Sequence, residues 1–217
     1  MAKNRTRAAE PAGPAGDAWE TANTFAAIGE AMAAWLEGSL DYRPHYGIEP
    51  TPPAAETAGL IPALAAMCRG GFITDSSQPG MTSANALQRA YVSGLCSSDT
   101  LRAIEGAVGD TELVVLVTSP PAPPVHDPGQ LVPVTRTRKP SPGLRRAVPR
   151  LADGTWAQTW LGPATPAEDI LTGIWDPIPH DGRRALAWSA SVDVIDPVWG
   201  RNDLLWPTLA GLFPPLS

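Results

Sequence analysis

The spacing of apolar residues changes along the chain from helical to strand-like and back, without a regular alternation, and this order limits the fold more than any motif does. Phe25, Ile28, Met32, Trp35 and Leu36 recur at helical spacing, as the buried stripe of an amphipathic helix requires. Asp17 and Glu20 have the spacing of an N-cap and its reciprocal partner, so this helix is expected to open at Asp17 and end near 38–40. A second helix is expected over 54–69, with Pro62 kinking it or marking its first turn and Gly70 and Gly71 stopping it. Phe72–Thr74 reads as a short strand followed by a loop over 75–80, and 87–95 as another strand. Ser97 or Ser98 caps a helix through Leu101, Ile104 and Val108, and Leu113–Val117 is an apolar run suited to a central strand. Thr165-Pro166-Ala167-Glu168 carries a strong helix start, Ala185–Ile195 alternates as a strand, and a last short helix begins near Leu204, capped by Asn202 or Asp203. This order predicts an α+β fold with a small mixed β-sheet packed by helices rather than a doubly wound parallel one.

Two segments depart from the globular pattern. Residues 1–16 are rich in Ala, Pro and Gly with few apolar anchors, and read as a disordered head before a single domain over 17–217. Between Ser119 and Arg150 lie nine prolines, six basic residues (Arg136, Arg138, Lys139, Arg145, Arg146, Arg150) and one acid, Asp127. This stretch reads as a long Pro-rich basic loop or arm. It is either a solvated linker lying on the acidic body or an arm that binds phosphate or nucleic acid, although it lacks the interleaved aromatics that stack on bases.

Charge and cysteines exclude several classes. The 217 residues carry a net charge of -6, which argues against nucleic acid as a partner because neutralising phosphates needs a basic face. No apolar run approaches the ~20 residues that span a bilayer, and no apolar stretch follows the basic residues near the start, so neither a membrane segment nor a signal peptide is expected. Cys68 and Cys96 lack the spacing of a zinc site or a disulfide framework and read as buried thiols in the cytoplasm. His45, His126 and His180 are scattered, so no metal and no cofactor is expected; His180-Asp181 beside a turn is an acid/base pair or a surface pair. Dinucleotide, P-loop, zinc-protease and α/β-hydrolase signatures are all absent from the sequence.

The polar turns beside strands are the remaining candidates. Thr74, Asp75, Ser76, Ser77 and Gln78, followed by Gln88, Arg89 and Tyr91, bring hydroxyls, a carboxylate and amides to one place. Arg89 would anchor an anion. The alternative is a β-turn whose Asp and Ser side chains satisfy backbone groups. Asp193, Asp196, Trp199, Arg201, Asn202 and Asp203 form a second set, whose acids could bind a metal, act as acid and base or, more commonly, cap turns. Two functions stay open. One is a noncatalytic binding or interaction protein that holds a small polar ligand or a partner protein on the 74–91 and 196–203 loops. The other is a small enzyme, a hydrolase or transferase, in which the same loops converge on a cleft. An exposed tryptophan would favour an interface.

The stretch Gly71-Phe-Ile-Thr-Asp-Ser-Ser-Gln-Pro-Gly80, with Gln88-Arg-Ala-Tyr-Val-Ser-Gly94, resembles the GFxTxxSQPG…QRAxVxG signature of an uncharacterised actinobacterial family, common in Streptomyces and also seen in phages and plasmids. The Trp-containing first helix and the block Asp196–Trp206 are similar to it as well. The likeness covers about 17–118 and 185–213. It implies an intracellular actinobacterial source and no activity.

Overall fold

The computed structural model describes residues 18–44, 50–119, 131–138, 150–161, 170–171 and 175–214. The expected head over 1–16, the cap at Asp17 and the helix start at Thr165–Glu168 lie outside these residues, as do His45 and His126. The first long helix, α1, is Phe25–Leu36. Thr24, in extended backbone, caps it by accepting a hydrogen bond from the Ala27 amide. A single turn at 18–20 precedes it, so the helix proper begins later than the Asp17-Glu20 spacing predicts. A 3-10 turn, Ala55–Leu60, leads into α2, Ile61–Arg69, with Pro62 in its first turn as expected.

The strands form two four-stranded antiparallel sheets instead of one mixed sheet. The first runs β1 (Phe72–Gln78), β4 (Tyr91–Cys96), β8 (Ala190–Ile195), β5 (Val114–Thr118), and the second β2 (Met81–Thr82), β3 (Ala86–Gln88), β6 (Val132–Thr137), β7 (Trp156–Leu161). Helix α3 (Ser98–Val108, capped by Ser97), helix α4 (His180–Ala187) and helix α5 (Leu205–Leu212) complete the α+β architecture. Helices cover one face of the first sheet. Ile28, Met32, Leu64 and Met67 are buried there in one core with Phe72, Val92, Val192 and Val194, and each side chain so buried contributes about 1.5–3 kcal/mol. On the other face, Tyr91 and Ile195 meet Val134 and Leu161 of the second sheet in a smaller core.

Several expectations change. The strand at Phe72 continues through Asp75 to Gln78, because a register shift between Thr74 and Ser76 absorbs Asp75 as a bulge. The strand expected over 87–95 is broken at Arg89-Ala90, where the chain leaves one sheet for the other. The Arg89 amide still donates to the Val134 carbonyl of the second sheet, whereas the Ala90 carbonyl accepts from Asp196. The apolar run at 113–117 is an edge strand, β5, with Val114 and Val117 exposed, because apolar content does not say which neighbours a strand has. The basic segment contains β6, placed between β3 and β7; its Pro133, which has no N–H to donate, sits at a register shift. The expected strand over 185–195 begins only at Ala190. Its first part belongs to α4, so Trp188 leaves the alternation and is 68% exposed. Neither Asn202 nor Asp203 caps α5.

Candidate functional site

The bulge in β1 is the starting point, because β1 is an edge strand of the first sheet and the extra residue turns Asp75 away from the ladder. Asp75 meets Arg43. The guanidinium donates to the Asp75 carbonyl at 2.6 Å and to its carboxylate at 2.8 Å. Arg43 is only 2% exposed and lies 5.5 Å from the centre of the Trp35 ring. The Trp35 indole N–H in turn donates to the Thr51 carbonyl at 2.8 Å, tying the segment after residue 50 to the end of α1. Between that segment and β1 lies a cavity of about 430 Å3. Trp35, Arg43, Glu56, Asp75, Ser77 and Tyr91 are among the residues that form its wall.

The polar groups of this wall differ in how they are used. The Ser76 hydroxyl shares a 2.7 Å hydrogen bond with the Tyr91 phenol. Burial raises the Tyr91 pKa, the Ser76 bond opposes this, and the carboxylates of Asp193, Glu56 and Asp75 add to the rise. Thr74 is buried, with its hydroxyl 3.3 Å from the Cys68 sulfur. Burial pushes the Cys68 thiol up, and Cys96 up to about 12, so neither suits nucleophilic work. Gln78 spans the two sheets. Its amide donates to the carbonyls of Arg89 and Val134, both at 2.9 Å, and its oxygen accepts from Thr135, with the Gln88 amide 3.4 Å away. The Ser77 and Thr57 hydroxyls and the Glu56 carboxylate, by contrast, line the cavity without a hydrogen bond to the described residues.

The 196–203 turn does meet the 74–91 segment, but the two close on each other. Asn202 accepts from the Gly80 amide and donates to the Gly80 carbonyl, both at 2.7 Å, and Gly200 donates to the Gln88 carbonyl. A Cβ at Gly80 would run into the Arg201 carbonyl, and Gly200 has φ 81°, so both positions need glycine. Asp196 is fully buried and accepts from the Val198 amide and from Arg201 Nε. Arg201 also pairs with Glu112. The guanidinium carbons of Arg89 and Arg136 lie 4.3 and 4.4 Å from the centre of the Trp199 ring. Arg89 also donates to the Pro133 carbonyl; burial, with the neighbouring Arg136 charge, lowers its pKa. Asp203 is exposed. None of 196–203 lines the β1 cavity.

Asp193 faces the same side of the first sheet as Ser76 and Tyr91. Its register partner on β4 is Ser93, whose own partner on β1 is Ser76, so the three lie side by side across adjacent strands. The Ser93 hydroxyl donates to the Asp193 carboxylate at 2.5 Å. Burial pushes the Asp193 pKa up to about 6 against the Ser93 bond, and the Asp75 charge adds to the rise. His180 and Asp181 are 3.8 Å apart and both exposed on α4. Among the described residues no cluster of three or more metal-ligating side chains occurs, and no helix is long and apolar enough to cross a membrane.

The sequence does not mark Arg43, Trp35, Glu56 or Ser93 as site residues; Trp35 reads only as part of a helix stripe. Arg43 sits in an irregular Tyr-Arg-Pro stretch with no periodicity, and only its partner Asp75 was visible as a polar strand end. A family model described as Domain of unknown function (DUF6919) matches residues 14–213, and the chain belongs to that family. The match includes the basic segment 119–150, which lies outside the likeness read from the sequence. No curated protein matches the sequence.

Proposed function

We propose that this chain is a noncatalytic binding protein that holds a small polar ligand in the cavity beside β1. The observation that carries the reading is the contrast within the cavity wall. A buried arginine, Arg43, fixes Asp75, while Ser77, Thr57 and Glu56 beside it keep their hydrogen-bonding groups unspent. Preorganised charge next to open donors and acceptors is how small polar ligands are oriented. The sequence candidates Asp75, Ser76, Ser77 and Tyr91 are the contact residues in this reading. Gln78, Gln88, Arg201 and Asn202 hold the frame. The free, buried cysteines agree with a cytoplasmic setting, and the exposed Trp188 supports a partner protein as an additional contact.

Native mass spectrometry of the gently purified chain, followed by ligand-observed NMR with a library of polar small molecules, tests this. The expected result is a retained or competing ligand whose affinity falls about fivefold or more in Ser77→Ala or Glu56→Gln. Binders indifferent to both substitutions, or none at all, overturn it.

One observation favours an enzyme as the second reading. Asp193, buried beside Ser93 and poised between its two protonation states near pH 6, has the attributes of a general acid/base. Turnover of any ester or group-transfer substrate that is lost in Asp193→Asn would replace the binding reading with the hydrolase or transferase one.

A further inference from the structure

We propose that a second site, separate from the β1 cavity, binds the phosphate group of a small molecule between Arg136 and Arg138, where β2, β3 and β6 border a depression of about 450 Å3. Arg136 and Arg138 are two residues apart on and just after β6, so strand geometry points them to one side. Both line the depression. One carboxylate, Asp153, stands among them. It pairs with Arg136 and also accepts from the Thr155 amide and hydroxyl. Arg138 is exposed and has no ion pair among the described residues.

The surplus of charge extends behind Arg136. Arg89 shares the Trp199 ring with Arg136, and among the described residues its guanidinium meets the indole and the Pro133 carbonyl but no carboxylate. Burial and then the Arg136 charge lower its pKa, and the Asp196 charge opposes them without reversing the shift. Donors are in surplus too. Arg136 Nε is buried without a hydrogen-bond partner among the described residues, and such a group calls for an explanation. A phosphate group supplies up to two negative charges and several acceptor oxygens, and it is the anion that paired guanidiniums recognise best. A small phosphate ester fits better than a polynucleotide. The chain is acidic overall, and the Trp199 ring is already taken by two arginines rather than open to stacked bases.

The test is a titration of the full chain with inorganic phosphate and with a sugar phosphate, at constant ionic strength, read on the arginine Nε–Hε signals in 1H–15N spectra. Saturable shifts at Arg136 and Arg138 are expected. Arg138→Ala, which removes an exposed side chain with no ion pair among the described residues, should weaken binding about tenfold or more. Arg136→Lys, which keeps the charge and loses the planar fork, should weaken it as well. The proposal is overturned if no saturable shift occurs up to roughly 10 mM ligand, if chloride reproduces the shifts, or if Arg138→Ala leaves the affinity unchanged. It is also overturned if a single-stranded oligonucleotide binds there with a steep salt dependence and the sugar phosphate does not. The β1 cavity reports on other signals, those of Ser77 and Tyr91, so failure at one site is read independently of the other.

Discussion

The wall of the β1 cavity and the 196–202 turn are built from the same kinds of residue and put them to opposite use. In the turn, Asp196, Arg201 and Asn202 are all engaged with the chain itself: an aspartate with an amide and a guanidinium, an arginine with two carboxylates, an asparagine with both backbone groups of Gly80. In the wall, the side chains of Ser77, Thr57 and Glu56 stand beside an arginine-fixed aspartate with no hydrogen bond to the described residues. A polar, turn-like sequence is therefore not a site by composition. What separates structure from candidate function is whether its hydrogen bonds are already closed.

The comparison breaks most sharply at Asp196. It is fully buried, and removing its carboxylate strands Arg201 Nε and the Val198 amide. Asp196→Ala should lower unfolding stability by about 3–5 kcal/mol, measured by urea titration, without any ligand being present. A loss below ~1 kcal/mol would mean that the turn is not the structural lock described above.

How far these roles were legible in the sequence follows from the range of the interactions. Ser97 as a cap, Pro62 in a first turn and the apolar stripe of α1 depend on neighbours a few residues away, and were readable. The sequence leaves open whether 74–91 and 196–203 meet, and only the enzyme reading requires it. The actual ties, Gly80 to Asn202 and Gln88 to Gly200, join residues more than a hundred positions apart. Arg43 was invisible for the same reason, since its meaning comes only from Asp75 and Trp35. β6 was hidden by composition: prolines and arginines around Val132 and Val134 read as a loop, although the strand needs only those two inward residues and a bulge at Pro133. The α4–β8 boundary failed because Ala, Leu and Trp at alternate positions satisfy a strand pattern and one helical turn equally.

An intermediate case is Asp193, which is neither closed in an ion pair nor open in the cavity wall. Its pKa is raised by burial to about 6, above an ordinary aspartate's, so the folded state prefers the proton. The stability it contributes is complete below about pH 4 and is lost as pH rises through 6. Asp193→Asn keeps an acceptor for Ser93 and removes the titration. Relative to the parent chain, the variant should gain stability as pH rises from about 4, reaching about 2–3 kcal/mol by pH 7 and staying level above it. Urea titrations at several pH values give this difference directly, and a flat difference from pH 4 to 8 would show that the carboxylate is not held in a costly place. Among the described residues, Ser93 on β4, Leu116 on β5 and, further off, Asp75 on β1 face it, and none of these is a cation that would offset the burial.

The smallest effect on stability is expected where the proposed function is greatest. Ser77 is half-buried on the cavity wall, and its hydroxyl makes no hydrogen bond with the described residues. Ser77→Ala leaves no partner stranded and creates only a small void on an already open wall, so unfolding stability should move by no more than ~0.5 kcal/mol. The same substitution removes one of the unspent hydroxyls that the binding reading depends on. A variant with unchanged stability and weakened ligand affinity would set Ser77 apart from Asp196 in kind, since one serves the ligand and the other the fold. A variant that loses stability by more than ~1 kcal/mol would instead show that the hydroxyl is bonded in solution, and the contrast between wall and turn would dissolve.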